Sequence, residues 1–155
     1  MARELLNKHL HRHAGVLGSV FLCAGILLFP LRISAESDAY SQALGYYETG
    51  NYEAALPIIE EAVRLAPTES EYHHLLGKCY GRIAEQANWV KAVRYAAKTR
   101  ESFEKAVELD ASNPNALRDL MEYYLQAPRF LGGSTTKAEA IRQRLDLLSG
   151  NEGPG

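Results

Sequence analysis

His74, Lys78 and Arg82 stand four residues apart in succession, so on a helix they form one ridge of basic nitrogens, with Arg118 placed to face them from a later helix. Such a ridge suits an acidic side chain or a C-terminal carboxylate, because each cation can donate charge-assisted hydrogen bonds to it. Catalytic patterns do not occur: the chain has no Cys-x-x-Cys, His-Glu-x-x-His or Gly-x-Ser-x-Gly. His73 and His74 are adjacent and point to different sides of a helix, so they cannot chelate one metal ion together. The run Leu131-Gly132-Gly133-Ser134-Thr135-Thr136-Lys137 has the glycines and hydroxyls of a phosphate loop, but not its G-x-x-x-x-G-K-[ST] spacing, and no strand precedes it. Its glycines make a turn, and Ser134 or Thr135 caps the helix that follows. The chemistry is therefore recognition: no catalytic residue, metal or cofactor is expected. A small metal- or ligand-dependent enzyme is the reading from another class.

With 155 residues, 46% of them hydrophobic and 23% charged, the chain can build one compact domain, but its apolar residues are unevenly spread. Arg3, Lys8 and Arg12, interleaved with His9, His11 and His13, make a basic leader. Ala14 to Leu31 follows as an 18-residue run without a charge. Pro30 breaks it, and Ile33-Ser34-Ala35 ends in a small residue where a signal peptidase can cut before Glu36. Residues 1–35 are therefore read as a cleaved export signal. An uncleaved inner-membrane anchor is the alternative, since the run reaches the short end of a bilayer span. The remainder is then periplasmic or secreted, or else anchored and facing the periplasm. Membrane contact is expected only if the segment is retained, when Lys91, Arg94 and Lys98 could touch anionic headgroups.

Without residues 1–35, 13 basic and 18 acidic side chains remain, a net of about −5 that repels nucleic acid. The charge is also segregated. Residues 36–71 carry eight acids against Arg64 alone, whereas residues 72–105 carry seven bases against three acids. Cys79 is the only cysteine of this part, so no internal disulfide can form and stability must come from helix packing.

The elements that position the ridge are amphipathic helices. Ala39, Ala43, Tyr46 and Tyr47 recur at helical spacing until Gly50 closes the segment. After the turn Gly50-Asn51, a second stripe carries Tyr52, Ala55, Ile59, Ala62 and Val63 and ends at Pro67. Leu76, Gly77 and Tyr80 begin a second pair, which Phe103 and Ala106 complete before Asn113-Pro114. Leu117, Leu120 and Tyr124 open a third, with Met121 where the second has glycine, and Ala138, Ile141, Leu145 and Leu148 share the face of a last helix. Trp89, Val93 and Ala96 are expected to cap the core edge.

This spacing resembles the tetratricopeptide repeat, a 34-residue pair of antiparallel helices with the pattern W-x-x-L-G-x-x-Y, G-x-Y, A-x-x-x-F-x-x-A and a final P. The first unit matches at Ala43 and Tyr46, Gly50 and Tyr52, Ala55, Ile59 and Ala62, and Pro67. Small residues let the helices approach, and Tyr46 and Ile59 are expected to fill the space beside them. From Leu76 to Phe103 the second unit holds ten residues more than the regular repeat, and the segment between contains no proline, so lengthened helices are expected.

The expected fold is all-α: a tetratricopeptide-like α-solenoid of about three helix pairs over residues 36–148, with the insertion in the second pair and a flexible tail over 149–155. The resemblance implies a peptide-binding groove lined by the first helix of each pair, mapped to Tyr40, Leu44, Tyr47, His74, Lys78, Arg82, Arg118, Glu122 and Leu125. It also implies a protein or peptide partner. The expected role is an adaptor or assembly factor of the bacterial cell envelope, with a membrane-anchored accessory subunit of an envelope complex as the alternative.

Overall fold

A computed structural model describes residues 37–150. The chain divides into a unit ending at Asp38 and a unit beginning at Ala39, and the fold below is that of the second. The leader or anchor over 1–35, its cleavage point, and residues 151–155 of the expected tail lie outside the described residues.

Among the described residues six α-helices follow one another: α1 over residues 37–48, α2 Tyr52–Leu65, α3 Ser70–Gln86, α4 Trp89–Leu109, α5 Pro114–Gln126 and α6 Thr135–Gly150, with a 3-10 turn Arg129–Leu131 before α6. No strand occurs among the described residues. α1 shares a buried cluster with α2 and α3, α3 packs with α4 and α5 with α6, and neighbours pack in chain order, so the architecture is the expected helical solenoid. The last helix runs through Gly150, two residues into the stretch expected as tail.

Local signals explain the boundaries. Gly50 takes φ +78 after α1, a conformation that suits only a residue without a Cβ, and Asn51 then caps α2 at Ala54 N, 3.4 Å. Asn88 caps α4 at Lys91 N, 3.2 Å. Asn113 caps α5 through Asn115 N and Ala116 N, both 3.1 Å, with Pro114 in the first turn where its missing N–H costs nothing. Ser134 caps α6 at Lys137 N, 3.3 Å. The insertion is absorbed as helix: α3 has 17 residues and α4 has 21, against 14 in α2, and only Ala87 and Asn88 join the two.

The repeat is visible as a recurring polar clasp across three helices. Tyr80 of α3 donates its hydroxyl to Glu60 Oε1 of α2 at 2.5 Å, while Lys98 of α4 reaches the same hydroxyl at 3.3 Å and lies 4.7 Å over the ring. Tyr124 of α5 repeats this with Glu104 of α4 at 2.6 Å and Lys137 of α6 at 3.5 Å, 5.0 Å over the ring. In both clasps the glutamate precedes the tyrosine by 20 residues. Burial first, and then the carboxylate beside it, raise each phenol above its ordinary pKa, so both stay protonated donors. Tyr46 occupies the corresponding position one regular repeat earlier, yet it is 37% exposed and does not fill the core as expected. Among the described residues no helix precedes α1 to supply its glutamate.

Core packing follows the sequence stripes. Ala43, Ala55, Ile59, Ala62, Leu75, Leu76, Cys79 and Tyr80 form one buried cluster, and Phe103, Leu120, Tyr124 and Ala138 another. At Gly77 a Cβ would lie 2.5 Å from the Phe103 ring, so α3 and α4 meet where only glycine fits. Cys79 is buried in this interior and its thiol is pushed up to about 11, chiefly by loss of solvent, so it is an inert packing residue. Trp89 does not cap the core edge. It is 70% exposed, because at the first position of α4 it leans on the Phe130 ring of the 3-10 turn instead. Val93 and Ala96 are half-buried.

Candidate functional site: a groove along α1, α3 and α5

The first helices of the three pairs share one inner face, and two adjoining clefts lie along it. The smaller, about 380 Å³, is lined by Tyr40 and Leu44 of α1, His74 and Lys78 of α3, and Asn115, Arg118 and Asp119 of α5. The larger, about 550 Å³, runs from Tyr47, Lys78 and Arg82 to Asp119, Glu122 and Tyr123, with Phe103 and Thr99 of the lengthened α4 also lining it. Lys78 and Asp119 belong to both, so the clefts form one continuous groove.

Eight of the nine mapped residues, all but Leu125, line this groove. Leu125 is 57% exposed and borders a separate hollow with Tyr124, Arg129 and Ser134. At 3.6 residues per turn it sits about a quarter turn from the stripe of Asn115, Asp119, Glu122 and Gln126, so a heptad step from Arg118 leads off the groove face.

The basic ridge does not stand free. His74 is buried: its Nε2 lies 2.7 Å from Asp119 Oδ2 and its Nδ1 3.7 Å from Glu71, so it ties α3 to α5 instead of offering itself to a ligand. Its ring also lies 5.8 Å from that of Phe103. His73 faces elsewhere, with Nε2 2.9 Å from the Pro67 carbonyl. Arg82 reaches Glu85 at 3.0 Å, and the Tyr47 hydroxyl and Glu85 together hold its guanidinium still more firmly charged. Lys78 lies 4.6 Å over the Tyr47 ring, and Arg118 donates to Asn115 Oδ1 at 3.3 Å. Neither Lys78 nor Arg118 makes an ion pair among the described residues. These two are the available cations of the smaller cleft.

Beside them stands an aromatic wall, Tyr40 stacked on Tyr72 with centroids 4.9 Å apart. Burial, followed by the nearby Glu71 charge, raises the Tyr40 phenol above its usual value. The groove is thus of mixed sign, with Glu71, Glu85, Asp119 and Glu122 interleaved among the bases. Residue spacing alone missed Asp119, Asn115 and Phe103. Asp119 was accessible in principle, since it falls one position after Arg118 and four after Asn115 on the same helix. Among the described residues no group of three or more His, Cys, Asp and Glu side chains is arranged to hold a metal ion.

No family model matches the chain. It is 28% identical over 108 residues to DnaJ homolog subfamily C member 3 of Gallus gallus, a protein containing tetratricopeptide repeats. That match covers 70% of this chain and 19% of the relative, so the chain spans about a fifth of that protein's length. Together with the all-helical architecture, this distant similarity points to tetratricopeptide-like repeats and, generally, to interaction with proteins.

Proposed function

We propose that the chain is an exported, non-catalytic adaptor or assembly factor of the cell envelope that holds an extended peptide or chain terminus in the α1–α3–α5 groove. The observation that carries this reading is the placement of Lys78 and Arg118, two cations without acidic partners among the described residues, on opposite sides of one cleft beside the stacked Tyr40 and Tyr72. A carboxylate of the ligand would sit between them, with Asn115 as a further donor, and an apolar residue would lie against the tyrosines. The leader over 1–35 supports export, and its retention would make the protein a membrane-anchored accessory subunit. In-cell crosslinking followed by identification of the attached proteins tests the reading. Replacing Lys78 and Arg118 together by glutamate should lower capture of the native partner by about a hundredfold or more while helicity stays intact, since each lost charge-assisted bond is worth roughly 1.5–3 kcal/mol. Undiminished capture by that variant would remove the proposal.

A further inference from the structure

The two departures from the regular repeat, the lengthened α3–α4 pair and the long turn before α6, meet on the surface. Trp89 and Phe130 are 41 residues apart in sequence, but their ring centroids lie 6.2 Å apart. Trp89 is 70% exposed, its neighbour Val90 77% and Phe130 67%. Side chains that keep two-thirds of their surface in water add little to the core, and a cluster of them marks a contact surface. None of the three lines either cleft of the groove, so the patch is separate from the proposed peptide site.

The charge around the patch is one-sided. Segments 87–100 and 127–137 carry six bases and no acid, in a chain whose residues 36–155 are net acidic. Lys98 is engaged with Tyr80, and Arg100 and Lys137 with Glu104. Lys91, Arg94 and Arg129 are exposed and make no ion pair among the described residues. Of the nearest acids in sequence, Glu85 is held by Arg82 and Glu139 by Arg142, Glu122 accepts from Gln126, and Glu101 lies twelve residues, or about 18 Å, along α4 from Trp89.

We infer that this patch docks the folded domain on a bilayer containing anionic phospholipid. Trp89, Val90 and Phe130 enter the boundary between headgroups and acyl chains, while Lys91, Arg94 and Arg129 meet the phosphates. Indole and phenyl rings flanked by arginine and lysine are the side chains that gain from this boundary, where one end is apolar and the other wet. A bilayer accepts two protruding rings side by side without a shaped hollow and supplies the negative plane that Lys91, Arg129 and Arg94, the last lying 5.4 Å over the Tyr95 ring, match. This inference stands independently of the groove.

Trp89 is the only tryptophan of the chain, so its fluorescence reports on the patch even if residues 14–31 insert into lipid on their own account. The full chain is mixed with vesicles of phosphatidylcholine alone, and with vesicles that also contain phosphatidylglycerol, both carrying brominated acyl chains. Emission should shift to the blue and be quenched only on the anionic vesicles, and salt should weaken the effect by screening. Reversing Lys91, Arg94 and Arg129 to glutamate should weaken partition on the order of a hundredfold, at roughly 1 kcal/mol per basic residue. Phe130→Ala should reduce the shift while leaving helicity unchanged. An unshifted Trp89 on anionic vesicles would overturn the inference. So would an equal shift on neutral vesicles, which would assign it to the apolar segment. A shift that tracks protein concentration without lipid would do the same, because a second copy, with its acidic residues 36–71, would then be the occupant.

Discussion

The Glu60–Tyr80–Lys98 and Glu104–Tyr124–Lys137 clasps are built alike, but they lock junctions of different tightness. Three residues before Tyr80, Gly77 lets α3 close onto the Phe103 ring; three residues before Tyr124, Met121 keeps a side chain that packs, half-buried, against the second cluster. Glu60 accepts a hydrogen bond from Tyr80 as Glu104 does from Tyr124, but Glu104 also forms ion pairs with Arg100 and Lys137, each at 3.6 Å. The second and third pairs therefore share one polar register while differing in steric fit. A repeat can keep its lock and relax its spacing, which is how the lengthened α4 is accommodated without breaking the stack.

The largest expected effect breaks the tight junction. Gly77→Ala should destabilise the fold by about 2 kcal/mol, because overpacking against Phe103 exceeds the helix-propensity gain of alanine. Met121→Ala should cost less, as its side chain is only part-buried. Chemical unfolding of the two variants side by side would reverse the argument if Gly77→Ala proved neutral.

Alkaline pH should act on the tighter side next. The folded Cys79 thiol is raised to about 11 from an ordinary 9.0, so the unfolded chain loses its proton first and stability falls as pH climbs between those values. The loss is on the order of 2 kcal/mol by the top of that window. Cys79→Ala should flatten this part of the stability profile, and an unchanged slope would count against the burial of the thiol.

The clasps themselves come third. Tyr80→Phe should cost about 1 kcal/mol, and Tyr124→Phe less, because Glu104 retains two cations. The double variant should be additive, since the two clasps share no residue. Strong coupling would instead show that the junctions open together. At the small end, Arg142→Ala on the exposed face of α6 should leave the unfolding midpoint unchanged, although Arg142 pairs with both Glu139 and Asp146 in the structure.

Helix positions, the turns at Gly50 and Asn113, and the absorption of the insertion into α3 and α4 were legible because they follow from local period and capping chemistry. Most of the groove was legible for the same reason: residues three and four apart on α3 and α5 share a face whatever they pack against. What the period does not contain is the partner. That Asp119 claims His74 and that Leu125 turns off the groove depend on a contact between helices and on a rotation of less than a third of a turn, whereas Glu85, three residues after Arg82 on the same helix, is a partner the period does contain.

Sequence by itself determined the helices, their order and most of the residues each would turn inward, since backbone hydrogen bonding and burial of apolar stripes act over one or two turns. Only the tertiary structure decided that Tyr46 would remain exposed while Tyr80 and Tyr124 are clasped, and that Trp89 would leave the core edge for Phe130. Those outcomes depend on side chains 20 to 41 residues away, and a pairing at that distance is set by how whole helices stack.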